Sequence, residues 1–86
     1  MAKQKKATPP PTDFDIFLKK VGDRMREIRT KKGFSNYEIF AFEHNLGRSQ
    51  YGKYENGTED LRLSSLHKVI SSFDMTFEEF FSEGFE

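Results

Sequence analysis

Residues 47–57 read GRSQYGKYENG, and among them Arg48, Ser49, Gln50, Lys53 and Asn56 carry side chains that can donate directional hydrogen bonds. Tyr51 and Tyr54 stand three apart and so share one face of a helix. If that face is inward, the five polar residues are left for the outside. Their types match the chemistry of base edges. The Arg fork fits guanine, Gln reads adenine, Ser serves either, and Lys meets base or phosphate. They crowd the start of the segment, the end that a recognition helix presents to bases. The free amides and positive dipole at such an end also favour phosphate.

Other chemistries find less support. The chain has no cysteine, which excludes disulfides and thiolate metal sites. His44 and His67 lie far apart with no accompanying carboxylate spacing, so they read as surface or half-buried side chains, and neither a metal nor a cofactor is expected. Ser49 has no general base backed by an acid, which leaves nucleophilic catalysis without a basis, and the chain does not read as an enzyme. Glu78, Glu79 and Glu83 form a solvated helix face. Gly52 costs a helix about 0.5–1 kcal/mol relative to Ala. It either lets a phosphate backbone come close or is simply tolerated.

The elements that must position these residues follow from size and patterning. Eighty-six residues fit one small domain with a limited core. Hydrophobic residues are 35%, charged residues 33%, and ten of the aromatics are Phe, which suggests a soluble helical module built on few, large apolar side chains. Net charge is zero, but its distribution is uneven. Residues 19–68 hold eleven Lys or Arg against seven acids, whereas residues 69–86 hold five acids and no base. No apolar run follows the N-terminal lysines, and no stretch approaches the roughly 20 residues of a membrane span, so a cytoplasmic setting is expected.

Residues 1–12, MAKQKKATPPPT, read as a disordered basic and Pro-rich tail, either a solubilising extension or a basic arm on DNA. Residues 13–86 read as the folded domain. Thr12 or Asp13 caps a first helix whose apolar positions are Phe14, Phe17 or Leu18, Val21, Met25 and Ile28. Lys31 and Lys32 suit its last turn and Gly33 stops it, while Gly22 weakens it enough that residues 13–20 could form a separate turn. Ser35 and Glu38 predict a capping box opening a second helix with Ile39, Phe40 and Ala41 inward. Asn45 ends that helix in left-handed geometry. The third helix covers about residues 48–56 and closes at Gly57. A fourth runs from about 63 to 73 with Leu63, Leu66, Val69 or Ile70, and Phe73 inward. Thr76 and Glu79 box a fifth, whose apolar face is Phe77, Phe80 and Phe81. No strand pattern appears. The second and third helices are too short to stand alone, so they must dock as a helix-turn-helix over about residues 35–57.

Residues 21–57, VGDRMREIRTKKGFSNYEIFAFEHNLGRSQYGKYENG, resemble the lambda-repressor, Cro and XRE type of helix-turn-helix protein. The marks are the Gly-x-Arg run of the first helix, the Ser before the second, Ala41 within it and YENG closing the third. The resemblance extends over roughly residues 14–82. It implies an all-α, five-helix lambda-repressor-like domain that binds double-stranded operator DNA, regulates transcription and forms a homodimer. It places Arg48, Ser49, Gln50 and Lys53 on base-contacting positions. It places Arg29, Asn36, Tyr37 and Asn56 toward phosphate. It also pairs Arg29 with Glu55, tying the first helix to the third.

Three departures stand out. One extra residue separates Ser35 from Ala41, His44 replaces a common Leu, and Glu59 and Asp60 occupy a loop that often carries basic residues in the family. Those acids should weaken DNA affinity, with Arg62 compensating in part. The Phe-rich acidic end, Phe81 and Phe85 above all, is the expected dimer contact. A different class of reading gives that end another protein as its main partner, in the manner of an antitoxin-like interaction module.

Overall fold

The computed structural model describes residues 9–86, so the predicted tail lies largely outside the described residues; residues 9–12 are exposed and carry no regular structure. Five helices follow, and no strand occurs among the described residues: α1 (Asp13–Lys31), α2 (Tyr37–Glu43), α3 (Arg48–Asn56), α4 (Leu63–Ser72) and α5 (Phe77–Phe80).

Thr12 opens α1 with a reciprocal cap. Its hydroxyl accepts from the Asp15 amide at 3.1 Å, and the Asp15 carboxylate accepts from the Thr12 amide at 2.9 Å. Asp13 and Asp15 in the first turn and Arg29 and Lys31 in the last complement the helix dipole. The helix does not break at Gly22. It runs unbroken because Gly22 is where α3 crosses it: a Cβ there would lie 2.6 Å from the Tyr54 carbonyl oxygen and would also run into that of Glu55. Close approach of two backbones, not helix weakness, accounts for the glycine.

The second helix begins one residue later than predicted. Asn36, not Ser35, is its cap, and the Asn36 Oδ1 accepts from the amides of Glu38 at 2.7 Å and Ile39 at 3.2 Å. The Ser35–Glu38 box does not form. Asn caps as well as Ser, and the extra residue before Ala41 is absorbed in the approach to the helix. Phe40 and Ala41 are fully buried, but Ile39 is 52% exposed. Asn45, at φ +59°, makes the left-handed turn expected of it. The Leu46 amide then donates to the Ala41 carbonyl at 2.7 Å, closing the bend between α2 and α3.

Val21, Met25 and Ile28 of α1, Phe40 and Ala41 of α2, Tyr51 of α3, Val69 and Ile70 of α4, then Phe73 and Phe80, form one core. Phe40 is its hub, with ring centroids 5.3 Å from Phe73 and 5.4 Å from Tyr51. His44 stacks on Phe40 at 4.1 Å and its Nδ1 lies 2.8 Å from the Phe40 carbonyl oxygen, so the residue is half-buried packing. The Thr76–Glu79 box forms as predicted and opens α5. Several expected core positions stay outside: Phe14 is 49%, Phe17 42% and Leu63 77% exposed. Periodicity identified their helix faces, but those faces overhang the core and leave an apolar opening bounded by Phe14, Phe17, Leu63, Leu66, Phe77 and Phe81.

Candidate nucleic-acid interface

The third helix starts at Gly47 without a side-chain cap and ends at Gly57, at φ +71°. Its inward residues are Tyr51, Gly52 and Glu55, with Tyr54 half-buried. Arg48, Ser49, Gln50, Lys53 and Asn56 are all exposed. All four residues proposed to touch bases are therefore exposed on this one helix, with Arg48, Ser49 and Gln50 in its first turn, where the unbonded amides lie.

The helix is held by charge as much as by packing. The Arg29 Nε and Nη2 donate to the two Glu55 carboxylate oxygens at 2.7 and 2.9 Å, and Nη1 donates to the Phe34 carbonyl at 2.7 Å. Arg29 is 5% and Glu55 2% exposed. The Glu55 hydrogen bond holds the Arg29 guanidinium above its usual value, against the opposing effect of burial. The expected tie between α1 and α3 is thus a buried bidentate pair. The same geometry corrects the companion expectation that Arg29 faces phosphate: all three of its nitrogens are engaged inside the protein.

Tyr51 lies beside this pair. Burial, and then the Glu55 carboxylate, push its hydroxyl well above the ordinary tyrosine value. The oxygen is enclosed yet makes no well-formed hydrogen bond.

Tyr37 and Gly52 explain each other. A Cβ at position 52 would lie 2.7 Å from Cε1 of the Tyr37 ring. The glycine neither admits a phosphate nor is merely tolerated; it seats the tyrosine that links the first turn of α2 to α3. Tyr37 remains 37% exposed, so its outer edge still borders the same surface. Asn36 stands next to it, with its carbonyl oxygen spent on the cap. Arg48 shares a shallow concavity with Asn36, Glu38, Ile39 and Phe42.

Arg26 was not singled out by sequence. It is exposed on α1, its Nη2 lies 3.5 Å from the Asn56 Oδ1, and its Nε lies 3.6 Å from a Glu55 oxygen. It stands three residues before Arg29 on the same helix, and that spacing was the available signal. It supplies at the surface the cation that Arg29 keeps inside.

No protein-family model matches the chain. It is 31% identical over 62 residues to the control protein C.MunI of Mycoplasma sp., covering 72% of this chain and 84% of that protein. The fold matches the restriction-modification controller protein C.AhdI from Aeromonas hydrophila with a TM-score of 0.71 at 36% identity, over 81% of this chain and all of the other. It also matches the controller C.Esp1396I bound to a 25-base-pair operator site, with a TM-score of 0.67 at 27% identity over 78% of this chain and 87% of the other. The chain, with its helix-turn-helix built on α2 and α3, belongs to the restriction-modification controller proteins.

Proposed function

We propose that this chain is a sequence-specific DNA-binding transcriptional controller that places α3 in the major groove. The observation that carries this reading is the exposed set Arg48, Ser49, Gln50 and Lys53 on a helix fixed by the buried Arg29–Glu55 pair. A recognition helix must be rigid as well as polar, because base discrimination depends on geometry at the hydrogen-bond scale. Asn36, Tyr37 and Arg26, which border α3, and Asn56, its last residue, are assigned to the phosphates on either side. C.Esp1396I, a relative of the same family, is known as a tetramer on its natural 35 base-pair operator. Residues 13–86 act as one domain of a regulator without catalytic activity, working in the cytoplasm.

One helix of this length reads few base pairs, so a homodimer on an inverted repeat follows, with recognition helices about 34–36 Å apart. The apolar opening formed by α1, α4 and α5 is the surface assigned to the second copy. It lies among the aromatic residues of the acidic end, whose charge keeps it from DNA. That assignment is preferred over an antitoxin-like role because the relative C.Esp1396I assembles as a tetramer on its operator.

The test is selection from a random duplex pool followed by Arg48→Ala. The variant should lose about 1–3 kcal/mol on the selected sequence and relax preference at one base position. Equal weakening on every duplex would reduce Arg48 to a phosphate contact. Salt-independent binding would remove the DNA reading altogether.

A further inference from the structure

Arg24 is 5% exposed, and neither the core nor the recognition surface accounts for it. Its Nε donates to the Phe80 carbonyl at 2.6 Å and its Nη2 to the Glu79 carbonyl at 2.9 Å. Its Nη1 meets Glu27 at 3.0 Å and lies 3.8 Å from Glu83. The guanidinium carbon stands 5.9 Å from the Phe80 ring centroid. The acceptors are the last two carbonyls of α5, a helix of four residues. So short a helix has almost no internal hydrogen bonds to hold its direction. A planar fork that takes two successive carbonyls fixes that direction; a lysine, a point charge on a flexible stem, cannot.

Seven residues earlier on α1, and therefore on the same helix face, Phe17 stacks on Phe81 with centroids 6.3 Å apart and planes 8° apart, and meets Phe85 at 5.9 Å. Phe17 thus holds the side chains of the aromatic end, and Arg24 holds its backbone. Five residues later, Arg29 grips α3 through Glu55. Five residues of helix span about 7.5 Å. One unbroken helix therefore carries both anchors, one for the surface assigned to the second copy and one for the recognition helix.

We propose that Arg24 is a positioning residue that fixes the dimer-forming end against α1, and through α1 sets the half-site spacing that the assembled protein accepts. This rests on the DNA-binding reading above. Adding one base pair between half-sites moves them about 3.4 Å apart and turns one relative to the other. A rigid dimer rejects that change, whereas a dimer with a loosened end tolerates it.

The probes are the duplex that the wild-type protein selects from a random pool, the same duplex cut to one half-site, and versions with one base pair added or removed between half-sites. Arg24→Gln should bind the single half-site within about twofold of wild type and the full site at least about tenfold more weakly. Its preference for native spacing over the altered spacings should fall to about twofold or less. Arg24→Lys, which keeps the charge against Glu27, should fold and show the same loss of spacing preference in milder form.

Unchanged spacing preference in a folded Arg24 variant would overturn the proposal. So would a half-site affinity that falls as far as the full-site affinity, since that marks general damage. Unfolding of both variants would show a requirement of the fold itself and overturn it equally. A wild-type protein that selects no duplex would instead sink the functional reading, an outcome distinct from any of these.

Discussion

The two ends of this molecule are anchored by the same kind of group and built from opposite materials. At the recognition end, Arg29 binds a carboxylate, and the surface it steadies is polar. At the aromatic end, Arg24 binds backbone carbonyls, and the surface it steadies is phenylalanine. The difference fits what each end is proposed to meet. Base edges demand exposed donors on a fixed frame, which a buried charge pair can supply without crowding the surface. A second copy demands apolar area, which can be exposed in a small protein only if something holds its backbone in place. Both guanidiniums sit on α1, so the first helix is the frame of the molecule.

The sharpest way to break the comparison is at its most buried charge. Glu55→Gln leaves Arg29 enclosed without a counter-charge, and removing one member of a buried pair costs about 3–5 kcal/mol. Denaturant unfolding should show that loss, with DNA affinity falling alongside. A midpoint within error of wild type would mean that the pair aligns α3 without stabilising it. Gly22→Ala should come next. The obstruction is the backbone of α3, which cannot rotate away as a side chain can. Overpacking of this kind costs typically about 1–3 kcal/mol, and the upper end is expected here. Gly52→Ala, whose obstruction is the movable Tyr37 ring, should cost less.

These glycines show where sequence reading stopped. Caps were legible in part because they are local: Thr12, offered together with Asp13, the Thr76–Glu79 box and Asn45 at the turn depend on neighbours within four residues, but the same rule misplaced the cap of α2 on Ser35, where Asn36 one residue later takes the role. The polar face of α3 was legible for the same reason, since Tyr51 reports which side is inward. Gly22, Gly52 and Arg24 act on residues that a single sequence does not bring near, and their periodic positions carry no mark of it. Leu63 and Ile39 failed in the opposite direction. Each is apolar at helical spacing, yet a period identifies a face and not what covers it. Arg29 was half right, because its partner was named but its burial was not.

Leu63 also tests the aromatic end. At 77% exposure it contributes little to the monomer, so Leu63→Ser should leave unfolding within about 0.5 kcal/mol of wild type. If the second copy covers it, dimerisation should weaken by about 1.5 kcal/mol or more, the lower bound for burying a leucine. Sedimentation equilibrium with and without the selected duplex measures this. Unaltered assembly would assign Leu63 to a different partner or to none.

The smallest expected effect lies back at the recognition end. Tyr51→Phe removes an enclosed hydroxyl that has no hydrogen-bond partner. Substituting an apolar group of the same shape should be neutral or stabilising by less than about 1 kcal/mol, because no partner is left stranded. Its pH dependence has a definite sign. Burial raises the Tyr51 ionisation in the folded protein above the ordinary value of 10.0. The unfolded chain therefore releases this proton first. Stability from this source is intact below about pH 10 and declines as pH rises beyond it, where the unfolded state binds fewer protons than the folded one. Phe has nothing to ionise at this position. Unfolding measured across the alkaline range should thus fall less steeply for Tyr51→Phe than for wild type. Identical slopes would place the Tyr51 hydroxyl in contact with water, and a loss of more than about 1 kcal/mol at neutral pH would show that it bonds to the Arg29–Glu55 pair after all.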